Sequence, residues 1–174
     1  MKLDNISKNL LEQIANLHEI PNGAVSFRKN GKGEIIRSTP NIEINKKPDG
    51  SGIDIIVRSS CQGEACHIPV VVSENDFFDL VYNDFYIEDN ANVVIVAGCG
   101  VHSTGDSGHD GIHTFHVGKN AQVLYVENHL AIGEGGNKVL NPTTVLTIGE
   151  NSTFTMNPTY LSCVHCKCAI FTNC

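Results

Sequence analysis

The sequence predicts an all-β protein, a β-solenoid entered through an N-terminal helix and a hairpin. Three observations predict it. The apolar content is 41%, yet aromatics are only 6% and Trp is absent, so Val, Ile and Leu must build the core. Valine and isoleucine suit pleated, half-buried surfaces. Second, short Val- and Ile-rich runs recur from Ile53 onward. Third, a turn pattern repeats: Ile87-Glu88-Asp89-Asn90-Ala91-Asn92-Val93 is echoed at Val117–Val123 and at Ile148–Phe154, offsets of 30 and then 31 residues. A fixed period of roughly 20 to 50 residues marks stacked repeats, each burying its apolar face against its neighbours.

Residues 3–17 place Leu3, Ile6, Leu10, Leu11, Ile14 and Leu17 on one helical stripe. Pro21 follows, where a helix cannot continue. The predicted role is an amphipathic helix covering part of the core. Val25 to Arg37 carries Asn30-Gly31 between two short runs, a hairpin signal. Ile42-Glu43-Ile44 alternates, and a loop rich in Lys, Pro, Asp and Gly fills 46–52. Strand runs are then expected at Ile53–Val57, Ile68–Val72, Val93–Ala97, Gln122–Val126 and Thr143–Ile148, with a turn through Cys99-Gly100-Val101-His102. Residues 1–50 thus form a helix and hairpin cap, 51–158 the solenoid core, and 159–174 a divergent Cys-rich tail.

A net charge of -7, with the twelve Lys and Arg scattered, excludes a nucleic-acid footprint. No apolar run approaches the ~20 residues of a membrane helix. The N-terminus shows no secretory pattern. A cytoplasmic chain with reduced thiols is the expectation, so the seven cysteines read as free thiols or metal ligands.

The chemistry concentrates between Val93 and His129, where Cys99, His102, His109, His113, His116 and His129 fall within 31 positions. Thiolate and imidazole are the ligands of soft and borderline metals and of cluster iron. The candidate metal ligands are Cys99, His102, His109 and His113. The repeat register sorts the rest. His113 aligns with Asn83 and Thr144 and points inward, whereas His116 points to solvent. Asp110 and Glu127 are candidate carboxylates for orienting imidazoles. The same register superposes Cys99 on His129, so the two should stack ~4.8 Å apart at one corner and share a cofactor. Gly98, Gly100, Gly105, Gly108 and Gly111 read as turn residues. With no P-loop pattern, the chain is not itself an ATPase. Cys61 and Cys66 form a C-x4-C pair, weak evidence for metal on its own, and Cys66 reads as a packing residue. The tail, with Cys163, His165, Cys166, Cys168 and Cys174, reads as a loosely packed end rather than a metal site.

Several segments in order resemble the SufB/SufD scaffold family of iron–sulfur cluster assembly. They are His67-Ile68-Pro69-Val70, Val81-Tyr82-Asn83-Asp84-Phe85, Ala97-Gly98-Cys99-Gly100-Val101-His102, His109-Asp110-Gly111-Ile112-His113, Tyr125-Val126-Glu127-Asn128-His129 and Asn141-Pro142-Thr143-Thr144. The resemblance covers about residues 1–156 and implies a right-handed single-stranded parallel β-helix. It implies a scaffold component of a SUF-type system, carrying a transient iron–sulfur cluster and not an enzyme by itself. The implied partners are a SufC-type ATPase and a second SufB/SufD-like subunit, in a homo- or hetero-oligomer. Family members continue through further coils and a helical segment, so an incomplete core and a truncated member are expected here. The alternatives are a stand-alone metal-binding β-helix enzyme using the His109–His113 cluster, or a purely structural partner subunit.

Overall fold

In a computed structural model the described residues are 3–162, 165–166 and 169–173, with side-chain surroundings described for 3–159. Helix α1 spans Asn5–Ala15. The strands are β1 (Ala24–Lys29), β2 (Lys32–Arg37), β3 (Ile42–Lys46), β4 (Ile53–Val57), β5 (Gln62–Val72), β6 (Phe77–Ile87) and β7 (Asn92–His102). They continue as β8 (Ser107–Val117), β9 (Gln122–Ile132), β10 (Lys138–Leu140), β11 (Thr143–Ile148), β12 (Thr153–Ser162), β13 (His165–Cys166) and β14 (Ala169–Asn173). From β4 to β10 successive strands alternate between two sheets. One runs β12-β9-β7-β5-β1-β2, the other β13-β10-β8-β6-β4-β3, with β11 joining β8 and β14. The chain is a parallel β-solenoid of about four turns.

The repeat is the coil. Ile87 pairs with Val117, and Val117 with Ile148. Across the other sheet, Val93 pairs with Val123 and Val123 with Phe154. The Asn of each repeated turn adopts the left-handed region, at φ 63° for Asn90, 53° for Asn120 and 57° for Asn151. Asn tolerates that conformation better than any other side chain except the missing one of Gly. Asn120→Ala should therefore cost about 1 kcal/mol and Asn120→Gly much less, read as urea midpoints. Equal losses for the two would show that the side chain, not the backbone, matters.

Beside the polar groups described below, toward the repeated turns, the core is apolar. Phe85 stacks on Phe115 with centroids 4.1 Å apart, and Phe154 meets Phe115 edge-on at 4.9 Å. Ile55, Val93, Ile95 and Leu146 pack with them. Such ring pairs contribute about 0.5–1.5 kcal/mol each beyond area burial.

The N-terminal elements are as the sequence predicts. In the hairpin turn, φ is positive at both Asn30 (44°) and Gly31 (73°), the primed geometry. Asp4 caps α1, accepting from the Ser7 amide at 2.8 Å. Leu10, Leu11 and Ile14 pack on Phe27, Val71 and Leu130, so the helix covers the outer face of the first sheet. Ile6 departs from the predicted stripe: it is 40% exposed, and Ser7 is the buried residue of that turn.

The helix also explains two glycines. A Cβ on Gly98 would lie 2.8 Å from the Ile14 carbonyl oxygen, and one on Gly100 3.0 Å from Leu10. Gly98, Gly100, Gly108 and Gly111 lie inside strands and serve close approach, not turning. The expected turn at Cys99–His102 is the second half of an 11-residue strand. The loop before β8 is short, covering 103–106.

Among the described residues, no helix is long and apolar enough to cross a membrane. In the tail, the backbone at β13 pairs with β10 and that at β14 with β11. The metal and packing readings of the tail rest on side chains of Cys163, His165, Cys166, Cys168 and Cys174, which lie outside the described residues.

Candidate functional site in the solenoid lumen

Strand parity decides which side chains enter the lumen. On β7 the inward positions are Val93, Ile95, Ala97, Cys99 and Val101; on β9 they are Val123, Tyr125, Glu127, His129 and Ala131. The register pairs Ala97 with Glu127 and Cys99 with His129, as the repeat predicts. On the facing sheet, Asp79 pairs with His109, Val81 with Gly111, and Asn83 with His113. Thr144 follows His113 on the next coil. His113 is 6% exposed and inward, while His116 is exposed and stacks on Tyr86, with ring centroids 5.0 Å apart.

These columns converge on a small cavity of about 20 Å³ lined by Cys99, His109, His113, Glu127 and His129 among others. That is room for about one water-sized particle. Gly111 creates part of the space. A Cβ there would sit 2.9 Å from His113 Nε2 and 3.3 Å from His109 Nε2. Both imidazoles thus direct Nε2 at the same void. His102 lies on the outward parity of β7, opposite Ile132, and does not line the cavity.

A directional hydrogen-bond chain crosses the lumen. Tyr125 Oη donates to Glu127 Oε1 at 2.8 Å. The phenol must then accept from His113 Nδ1, 2.7 Å away, so Nδ1 carries the hydrogen. Nε2 is left as the acceptor, with the Asn83 amide at 3.4 Å. Burial drives the His113 pKa down to about 4, so this imidazole is neutral near pH 7. His129 Nε2 lies 3.4 Å from the same Glu127 oxygen. Glu127 is 2% exposed, and its Oε2 accepts no hydrogen bond from the described residues. Burial pushes its carboxyl up, but the interactions with His129, His113 and Tyr125 hold it below the ordinary value.

On the facing wall, Arg28 grips Asp79 through two bonds, Nε to Oδ2 at 2.7 Å and Nη2 to Oδ1 at 2.8 Å. His109 Nδ1 makes a longer contact, 3.4 Å, to Asp79 Oδ2. A carboxylate behind Nδ1 with Nε2 turned to an open space is the arrangement that orients metal-binding imidazoles. Burial opposes the Asp79 charge, yet Arg28 and His109 keep its pKa well below the carboxylate range. The carboxylates that orient the imidazoles are therefore Asp79 and Glu127. Asp110, the other expected partner, pairs with Leu80 on the outward parity of β8. Arg28, Asp79 and Tyr125 are not among the sequence candidates, whereas His109 is.

The Cys99 thiol lies well above its ordinary pKa, first through burial and then through the charges of Asp79, Glu127 and Asp110. It is a neutral thiol in a site whose nearest formal charges are negative. Cys61 and Cys66 are buried away from the cavity lining. Cys66 is pushed up to about 12 by burial, and Cys61 Sγ donates to the Asn92 carbonyl at 3.2 Å. Both are packing residues. As placed, no group of three His, Cys, Asp or Glu side chains among the described residues lies close enough to hold a metal ion.

Compared with family models, with curated proteins and with solved structures, the chain matches none of them.

Proposed function

We propose that this chain is a scaffold component of iron–sulfur cluster assembly, using its lumen to hold iron or sulfide in transit. The observation that carries this reading is the stacking of Cys99 on His129 beside the open oxygen of Glu127. A soft donor, a borderline donor and a hard anionic donor then border one water-sized void, with His109 and His113 Nε2 facing it. The size matters: the cavity takes one atom of cargo at a time, not a complete cluster. The sequence segments resembling the SufB/SufD family point the same way. So does the outer face of the second sheet, where Phe78, Leu80, Tyr82 and Tyr86 are exposed in a row. Such a face suits a protein partner, and the partners proposed are a SufC-type ATPase and a second subunit of this type.

Because Cys99 begins as a neutral thiol, a cation must displace its proton. Iron uptake should therefore release protons and tighten as pH rises. The test is anaerobic loading with ferrous iron and sulfide in a chain whose four tail cysteines are replaced by serine. Iron should bind, and Cys99→Ser should lose most of it. Equal iron content with and without Cys99 would refute the reading.

A further inference from the structure

We propose that the N-terminal mouth of the lumen is a binding site for a small organic anion with a short apolar tail. This site does not depend on the cluster-assembly reading.

The mouth is a cavity of about 320 Å³, bounded by the β1–β2 hairpin, the 46–52 loop and the first solenoid strands. Ligand pockets start at about that size and are mostly apolar, with a few placed polar groups. The floor here is apolar, with Ile53, Ile68 and Val81. Among the described residues, the charged groups lining it are Arg28, Lys32 and Lys46, with no Asp or Glu. That is a local reversal in a chain of net charge -7.

The cations are arranged, not scattered. Asp79 engages Nε and Nη2 of Arg28 and holds the guanidinium at the base of the cavity. Since Asp79 offsets that charge, Lys32 and Lys46 supply the net positive potential at the rim. Lys46 lies against the hairpin: a Cβ on Gly33 would meet its Cε at 3.4 Å and its Nζ at 3.6 Å. Gly52 is required at this wall, since a Cβ there would run into the backbone carbonyl of Tyr82. An anionic head group would meet the lysines while its tail lies over Ile68 and Val81. Ile68, Val70 and Asn83 also line the inner cavity that holds Cys99. A bound ligand therefore sits directly over the entrance to that cavity.

The experiment titrates the full chain calorimetrically with hexanoate, hexanamide and hexylammonium, which share one tail and differ in charge. Hexanoate should bind, hexanamide about tenfold or more weaker, and hexylammonium not at all. The K32E/K46E double variant should weaken hexanoate by about tenfold or more. Both lysines are exposed, so its urea midpoint should stay unchanged. Should that variant fold poorly, added salt must weaken hexanoate binding to the natural chain. Absent hexanoate binding, equal binding of hexanamide, or no response to charge reversal or salt would overturn the proposal.

Discussion

Glu127→Ala should destabilise the fold by about 3 kcal/mol or more, from a buried donor left unsatisfied together with the hole left behind. Two effects oppose each other. Burying a carboxylate with one open oxygen is unfavourable, and removing it relieves that strain on the fold. Against this, alanine strips the Tyr125 hydroxyl of its acceptor, removes the His129 Nε2 contact at 3.4 Å and leaves a hole in the lumen. Each buried group left unsatisfied costs about 1–3 kcal/mol, and the hole adds to it. The losses outnumber the single gain. Glu127→Gln keeps the Oε1 acceptor, so it should cost less than half as much. Urea unfolding at pH 7 checks both. A Glu127→Ala chain within about 0.5 kcal/mol of the natural one would mean that the chain of hydrogen bonds does not order the lumen.

The second large effect is acid sensitivity through His113. Its pKa is about 4 in the fold against 6.5 in the unfolded chain. Between those values the unfolded state binds the extra proton, so stability rises with pH through this window. The contribution is complete above pH 6.5 and is lost progressively as pH falls toward 4. At 1.36 kcal/mol per unit this amounts to roughly 3 kcal/mol. His67, also pushed down by burial, adds in the same direction. The quantity to measure is therefore the difference between the natural chain and His113→Gln from pH 7 to pH 4. The variant should show a much flatter slope. Identical slopes would place the His113 proton elsewhere.

The 30-residue offset made much of this legible in the sequence. It places Asn83 on His113 and Cys99 on His129, and both pairings hold in the sheets. The same offset places Asp79 on His109, a pairing that a search for Cys and His alone passes over. Strand lengths were less legible. The second half of β9 and most of β8 carry Glu, His, Gly and Ser at inward positions, and β7 carries Ala97 and Cys99, where a strand with an apolar lumen would show Val or Ile. The polar residues that form the site thus erase the alternation that would announce the strand. Gly98 and Gly100 read locally as turns because their reason is tertiary: α1, far earlier in the chain, lies on them. Tyr125 reads as an ordinary core aromatic until its hydroxyl is seen between His113 and Glu127.

Iron K-edge X-ray absorption tests the lumen reading most directly. The sample is the chain with its four tail cysteines changed to serine, loaded anaerobically with one equivalent of ferrous iron. A mixed shell is expected, with one sulfur and imidazole nitrogen scatterers. The sulfur should vanish in Cys99→Ser, and the imidazole signal should fall in His129→Ala. A shell of oxygen alone, or one that neither substitution alters, would contradict iron binding at Cys99 and His129.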